Sequence, residues 1–254
     1  SPSNQKELVD EVGSFIANWL REQGLTPQVI PRQEVGDIVW AEWGEEQAGR
    51  ILVLCHIDTV WQPGSLKRNP FRVEEGRIYG PGSYDMKGGV VSTLKIQEYL
   101  NRGWISPAKK VRFLYTTDEE LTSSHSRQII EEFARESDAV LVTEPPLPGG
   151  GLKTARKGVG SYLLKIHGKS AHSGVEPEKG IDAVDELSRR IGEIRSLSRP
   201  EQGTTVTVTQ VRGGTAINVI AEYAEAVVDT RFTNKEEADR VDQAQRSGGG
   251  RNGR

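Results

Sequence analysis

The first clear pattern along the chain is an amphipathic segment near its beginning. Between residues 5 and 20, apolar side chains recur every three or four positions, the spacing of one helical face. Gly24 follows this segment and is a typical helix stop. The pattern therefore predicts an opening helix, and the next segment, residues 35–43, is predicted to form a strand.

Three later segments are short, nearly continuous apolar runs, which are typical of strands covered on both faces of a mostly parallel sheet. The predicted strands are residues 50–55, 111–116 and 139–142, and the predicted helices between them are residues 88–100 and 126–136. This alternation of strand and helix predicts an α/β domain with a mixed, mostly parallel sheet and helices on both faces.

A cluster of prolines and glycines at residues 145–151 interrupts the alternation, as expected at a domain boundary. We predict a first domain over residues 1–152, a smaller α+β domain over residues 153–245 and a Gly/Arg-rich tail over residues 246–254. The elements predicted in the smaller domain are strand 161–168, helix 181–194, strands 204–211 and 221–232, and helix 235–245.

This order of elements is five-sixths of a ferredoxin-like βαββαβ unit. The closing strand is absent and the tail stands in its place, so the smaller domain is expected to be incomplete. The alternative is that no closing strand is needed and that the tail is a disordered linker.

Composition narrows the classes of partner. The 254 residues carry a formal net charge of -3, so neither a nucleic acid nor an anionic membrane is an expected partner, and a small solute fits better. The single cysteine, Cys55, lies in an apolar run, which excludes a disulfide framework and favours a reducing cytoplasm. No apolar stretch reaches the roughly 18 residues of a membrane span.

Chemically active side chains follow each apolar run of the first domain. His56 and Asp58 follow the first run, Glu119 and Glu120 follow the second, and Glu144 follows the third. Because open α/β sheets bind ligands at the carboxyl ends of their strands, these side chains should converge on one edge of the sheet. Asp85 is expected to join them, because the glycine-rich turn 80–89 presents it just before a helix.

One imidazole and several carboxylates form a ligand set that suits Zn²⁺, Co²⁺ or Mn²⁺, and a carboxylate can bridge two ions. The sequence therefore predicts a two-metal site in which Asp58 holds the imidazole N–H of His56. Of Glu119 and Glu120, which should point apart in extended backbone, one can bind metal while the other accepts a proton from the attacking water. The residues alone do not decide which does which.

Each feature alone has a more ordinary explanation. A histidine after a strand is more often a hydrogen-bonded surface or core group than a metal ligand, and acidic pairs at strand ends are usually solvated or cap a helix. Four such features on one sheet edge are much less easily explained as coincidence. His125 and His167 are assigned no function, because the first lies in a polar helix start and the second is an outward strand residue.

Four segments together resemble the metal-binding motifs of the M20 zinc peptidase family. They are His56-Ile57-Asp58-Thr59, the glycine turn through Asp85-Met86-Lys87-Gly88-Gly89, Thr117-Asp118-Glu119-Glu120, and Thr143-Glu144-Pro145. The resemblance extends to about residue 240 and, through Asn69-Pro70-Phe71-Arg72-Val73-Glu74, is nearest to the carboxypeptidase G2-like (glutamate carboxypeptidase) branch.

The resemblance implies roles that the residues alone leave open. It implies that His56 and Glu144 bind separate zinc ions, that Asp85 bridges them, that Glu120 is a ligand and that Glu119 is the general base. It also implies a cis peptide after Asp85. Asp58, which is expected to hold the imidazole of His56, is counted with Glu119 among the catalytic residues.

The smaller domain also resembles part of the family, namely its lid and dimerisation domain. The resemblance implies that His172 reaches the active site of a partner subunit in a homodimer and polarises the scissile carbonyl. It implies that Asn218 contacts substrate.

The family pattern also includes a final histidine ligand after the lid, whereas no histidine follows His172 in this sequence. The chain is therefore expected to be truncated or a degenerate relative. The leading hypothesis is a zinc-dependent hydrolase that cleaves an amide or C-terminal peptide bond in a small substrate with a free carboxylate, such as an acyl-glutamate. The alternatives are an N-acyl amino acid deacylase and a non-catalytic metal-binding or dimerisation module.

Overall fold

The computed structural model describes residues 1–44 and 49–248, and these form two compact units. Unit 1 comprises Ser1–Gly151, and unit 2 begins at Leu152, one residue before the start predicted for the smaller domain. Within the described residues, none of the helices has both the length and the apolar character needed to span a bilayer.

Unit 1 contains four helices and seven strands among its described residues. In chain order they are α1 (Lys6–Glu22), β1 (Gln28–Ile30), β2 (Ile38–Trp43), β3 (Arg50–His56), α2 (Ser65–Arg68), β4 (Arg72–Glu74), β5 (Arg77–Tyr79), α3 (Gly88–Asn101), β6 (Lys110–Thr116), α4 (Arg127–Arg135) and β7 (Ala139–Val142).

The main sheet of unit 1 is a mixed five-stranded sheet in the order β1-β2-β6-β3-β7. β3 lies between β6 and β7 and pairs with both in parallel, so the three strands that precede the predicted ligands end at the same edge. β2 runs antiparallel to β6, and β1 runs antiparallel to β2. The mixed and largely parallel sheet predicted from the apolar runs is thus confirmed.

Helices cover both faces of this sheet, as predicted. On one face, α1 and α3 bury side chains such as Ile16, Leu20 and Leu94 in the larger apolar cluster, together with Phe113 of β6. On the other face, Phe133 of α4 packs in a second cluster with buried side chains of β2, β3 and β6. The ligand-bearing strands are therefore held in a core from both sides.

Three short parts of unit 1 were not predicted. β1 has only three residues and α2 only four, too few to show a period, and β4 and β5 form a separate small hairpin. The hairpin turns at Glu75 and Gly76, both with positive φ, a conformation typical of two-residue hairpin turns. The apolar side chains of the hairpin are largely exposed, so its strands lack the alternation of buried and exposed positions by which a strand is predicted from sequence.

Unit 2 has the predicted order of elements, βαββα. They are β8 (Gly158–His167), α5 (Ala183–Arg195), β9 (Thr205–Gly213), β10 (Tyr223–Phe232) and α6 (Lys235–Gly248). The described strands form an antiparallel sheet in the order β8-β10-β9, which matches three strands of a ferredoxin-like unit. α5 and α6 both pack on the face of β10 that contains Ala224, Ala226 and Val228.

Most elements of unit 2 differ from their predicted bounds by one to three residues, and two of these differences have a clear consequence or cause. α5 begins at Ala183 rather than at residue 181, because the carboxylate of Asp182 caps it by accepting from the backbone N–H groups of Val184 and Asp185. α6 continues to Gly248, so the tail predicted to begin at residue 246 starts inside a helix. The rest of that predicted tail, residues 249–254, lies outside the described residues.

Candidate metal centre

His56 lies at the centre of the candidate site. It is the last residue of β3, and its side chain is buried between the ends of the neighbouring strands. Its Nε2 atom is 3.1 Å from Asp85 Oδ1 and 3.4 Å from Glu144 Oε1. On the other side of the ring, Nδ1 lies 3.3 Å from Asp58 Oδ1 and 3.1 Å from the Asp58 backbone carbonyl. The Asp58 contact thus leaves Nε2 directed at the other carboxylates.

Asp85 reaches His56 from a tight turn before α3. The turn opens at Gly82, whose positive φ favours glycine, and a Cβ there would lie 2.8 Å from the side chain of Thr59. The Asp85–Met86 peptide is cis, as the resemblance implied. Met86 is buried with its sulfur 3.0 Å from the backbone nitrogen of His56, which fixes this turn against the end of β3.

Glu119 and Glu120 lie on a single 3₁₀ turn, Glu119–Leu121, which begins after two residues that follow β6. The expectation of extended backbone at this pair was therefore wrong, because the chain turns so soon after the strand. Glu119 Oε2 is 4.0 Å from His56 Nε2. Ligand atoms of His56, Glu119 and Glu120 all lie within 4.8 Å of one another, so both glutamates face the same side of the sheet edge.

Glu144 is positioned by close packing between β7 and α3. A Cβ at Gly89 would lie 1.9 Å from the carbonyl oxygen of Thr143. Only glycine at position 89 therefore allows α3 to come this close to the backbone next to Glu144. Cys55, buried as predicted, has its sulfur 3.1 Å from the Thr143 hydroxyl. These contacts hold Glu144 beside His56.

The charges in this site strongly influence one another. Burial alone would lower the pKa of His56, but hydrogen bonds to Asp58 and Glu144 and the charges of Asp58 and Glu119 raise it to about 11. Burial and the neighbouring carboxylates raise the pKa of Glu119, although the charge of His56 opposes this. Burial and the charge of Asp85 likewise raise the pKa of Glu120. The site therefore favours positive charge among its carboxylates.

These residues fit a divalent cation. Two sets of three ligand atoms lie within 4.8 Å, one from His56, Glu119 and Glu120 and one from His56, Asp85 and Glu144. Imidazole nitrogen and carboxylate oxygen are suitable ligands for Zn²⁺ and related ions. The edge predicted from the three apolar runs is thus the place where all five of these side chains meet.

The two residues predicted to act from the smaller domain lie in neighbouring loops of unit 2. His172 forms an isolated antiparallel bridge with Val219, and the backbone N–H of Ser173 donates to the carbonyl of Asn218 at 3.0 Å. Both His172 and Asn218 are exposed. The structure thus places these two residues together on the surface of unit 2.

The other two histidines, His125 and His167, occupy the kinds of position that the sequence predicted. His167 is an exposed residue of β8. His125 precedes α4, and its backbone N–H donates to Asp118 Oδ2 at 2.6 Å. One polar group close to the site was missed by sequence analysis: the hydroxyl of Ser3, which donates to Asp58 Oδ2 at 2.6 Å. No local sequence signal could have revealed this contact, because 55 positions separate the two residues.

Comparisons with known proteins agree with the division into two units. Residues 154–247 match the family model described as a peptidase dimerisation domain, and residues 38–144 match the one described as peptidase family M28. A solved M20 family metallo-carboxypeptidase from Sulfolobus solfataricus has the same fold, with a TM-score of 0.69 and 17% identity. That match covers 95% of this chain and 71% of the other.

Two curated relatives extend the similarity across both units. Carboxypeptidase G2 from Pseudomonas sp. (strain RS-16) is 30% identical over 239 residues, which is 92% of this chain and 57% of that protein. Acetylornithine deacetylase from Pasteurella multocida is 31% identical over 235 residues, which is 85% of this chain and 59% of that protein. The chain therefore spans somewhat more than half the length of these relatives.

Unit 1 is an α/β unit with a cluster of one histidine and several carboxylates, and unit 2 matches a peptidase dimerisation domain. Together these features are those of a metallopeptidase. Within this class, the chain belongs to the M20 peptidase family, as the sequence motifs indicated.

Proposed function

We propose that this chain carries the metal-binding core of a zinc-dependent hydrolase that cleaves an amide or C-terminal peptide bond in a small substrate. The observation that carries this proposal is the meeting of His56 with four carboxylates at one edge of the unit 1 sheet. A cluster with this much negative charge is unfavourable unless a cation is bound there, and two zinc ions would compensate it.

In the proposed arrangement, His56 and Glu144 would hold separate zinc ions, Asp85 would be shared between the two ions and Glu120 would be a further ligand. When bound, the ions supply Lewis acidity that polarises the carbonyl and makes water more acidic. Asp58 orients the imidazole through Nδ1, and Glu119 accepts the proton of the attacking water. The position of Glu119 suits this task, because its Oε2 lies 4.0 Å from His56 Nε2, beside the proposed ligands.

The proposed substrate class is a small molecule or short peptide with a free carboxylate, with an acyl-glutamate as the first choice. Similarity to carboxypeptidase G2 supports this class. The second candidate is deacylation of an N-acyl amino acid, which the comparable identity to acetylornithine deacetylase favours.

We further propose a homodimer formed through unit 2, which the match to a peptidase dimerisation domain supports. In that dimer His172 would polarise the scissile carbonyl and Asn218 would contact substrate, both from exposed loops. The buried, unpaired Cys55 supports a cytoplasmic location.

The experiment tests this chain, and any longer form of the protein that its gene encodes, each loaded with zinc, against an acyl-glutamate and acetylornithine. Activity on the acyl-glutamate is expected, and Glu119→Ala should reduce kcat by a factor of about 10² to 10⁴ while zinc remains bound. Preference for acetylornithine would favour the deacylase.

Two outcomes would contradict the proposed mechanism. Activity that survives Glu119→Ala would exclude this residue as the general base. Inactivity of every tested form with zinc bound would favour the non-catalytic metal-binding or dimerisation module.

A further inference from the structure

Ser3 is a buried residue of the segment that precedes α1, and nothing in the mechanism above uses it. The segment runs beside the residues that follow β3, because the backbone N–H of Thr59 donates to the carbonyl of Ser1 at 2.9 Å. This pairing brings the Ser3 hydroxyl to Asp58, where it donates to Oδ2 at 2.6 Å. The contact is short, and both side chains are buried.

Asp58 is fully buried and its carboxylate has four partners. His56 Nδ1, at 3.3 Å, and the backbone N–H of Glu119, at 3.3 Å, lie next to Oδ1. The hydroxyl of Ser3 and the backbone N–H of Glu120, at 3.1 Å, donate to Oδ2. The Asp58 carboxylate therefore fixes both the orientation of the His56 ring and the position of the turn that carries Glu119 and Glu120.

The Ser3 contact is the shortest of the four and fixes one oxygen of that carboxylate. A buried carboxylate needs all of its hydrogen bonds, because water is not available to replace a lost donor. Without the hydroxyl, Oδ2 would keep only the Glu120 amide, and the carboxylate could rotate away from His56 or from the amides. Either rotation would loosen both sides of the metal centre at once.

We propose that Ser3 is a positioning residue of the metal centre, which acts through Asp58 on His56 and on the Glu119–Glu120 turn. This inference rests on the proposed function only in that the positioned groups bind zinc. Ser3 itself contacts neither metal nor substrate.

The test compares Ser3→Ala, Ser3→Thr and a matched control, Ser65→Ala. Ser65 is also a buried serine of unit 1, but its hydroxyl donates to the Gln62 carbonyl at 2.6 Å and contacts no residue of the site. The first readout is hydrogen exchange of the Glu119 and Glu120 amides in the metal-free protein. The second is zinc affinity, measured by competition with a chromophoric chelator.

Ser3→Ala should speed exchange at these two amides while β3 and β6 stay protected, and should weaken zinc binding by roughly tenfold, the lower end of the range for groups that orient a metal ligand. Ser3→Thr keeps the hydroxyl and should restore both properties. Ser65→Ala should change neither.

Unchanged exchange at Glu119 and Glu120 in Ser3→Ala would overturn the inference, and so would an equal increase throughout β3 and β6, which would show a general loss of stability. Unchanged zinc affinity would overturn it as well. If the unaltered chain bound no zinc, the proposed function would fail, whereas the exchange comparison, which needs no metal, would still decide the role of Ser3.

Discussion

The two units present their candidate functional residues in different ways. In unit 1, His56 and Asp58 are buried at the end of a parallel strand, and every predicted ligand is held close to them by a strand end or a tight turn. In unit 2, His172 and Asn218 lie on exposed loops that are held by backbone pairing with each other.

This difference separates two kinds of task. A metal centre needs ligands fixed to within a fraction of an ångström, which a packed strand end supplies. A residue that meets substrate or a partner subunit must be accessible, and loops on a rigid sheet provide that. Substitutions of the candidate ligands in unit 1 should therefore change metal binding, whereas substitutions in the exposed loops of unit 2 should leave it unchanged.

The largest effect is expected from His56→Ala, because both sets of candidate ligands include this residue. In the unaltered chain, zinc at 100 times its dissociation constant should stabilise unit 1 by about 2.7 kcal/mol, and the variant should lose this stabilisation. Thermal unfolding with and without zinc measures it. His172→Ala is the matched control in unit 2. A similar loss in that variant would contradict the assignment of metal binding to unit 1.

A smaller effect is expected where the backbone, rather than a ligand, is changed. Gly89→Ala would force the new Cβ against the Thr143 carbonyl, and it should destabilise unit 1 by about 1–3 kcal/mol and weaken zinc binding by displacing Glu144. Urea unfolding and zinc titration measure the two effects. Tolerance of Gly89→Ala would contradict the proposed close packing.

Gly192→Ala in unit 2 is the control for this substitution. A Cβ at Gly192 in α5 meets nothing within 4 Å, so this variant should stabilise unit 2 by about 0.5–1 kcal/mol.

The smallest effect concerns an ion pair in unit 2. Hydrogen bonds from Arg240 lower the pKa of Glu237 to about 2, so its contribution to stability is present above the ordinary value of 4.5 and is lost as the pH falls through about 2. Glu237→Gln should therefore lower the melting temperature at pH 7, and the difference should shrink between pH 4.5 and pH 2. The exposed neighbour Glu236, replaced by Gln, is the control. A difference independent of pH would contradict this assignment.

Much of the metal centre could be predicted because its parts are local in sequence. A candidate ligand lies within three residues of the end of each of the three apolar runs, and parallel pairing places those ends at one edge. The contacts that adjust the geometry are not local. Ser3 meets Asp58 across 55 positions, and Gly89 meets Thr143 through the packing of α3 on β7, so neither leaves a periodic signal.

The errors in element boundaries also have physical causes. Glu119 and Glu120 lie in a turn rather than in extended backbone because their backbone N–H groups donate to Asp58, a tertiary contact that competes with extended backbone. α6 continues past residue 245 although serine and glycine follow, since packing of its Val241 and hydrogen bonds of its charged side chains stabilise the helix. Local propensity alone underestimates such contributions.

We propose that the carboxyl edge of the unit 1 sheet is a two-zinc site, and X-ray diffraction from zinc-soaked crystals, collected on both sides of the zinc absorption edge, would locate the ions. Two anomalous peaks about 3.5–4 Å apart are expected, bounded by His56, Asp85, Glu120 and Glu144. Zinc peaks elsewhere on the molecule, with none among these four side chains, would contradict it.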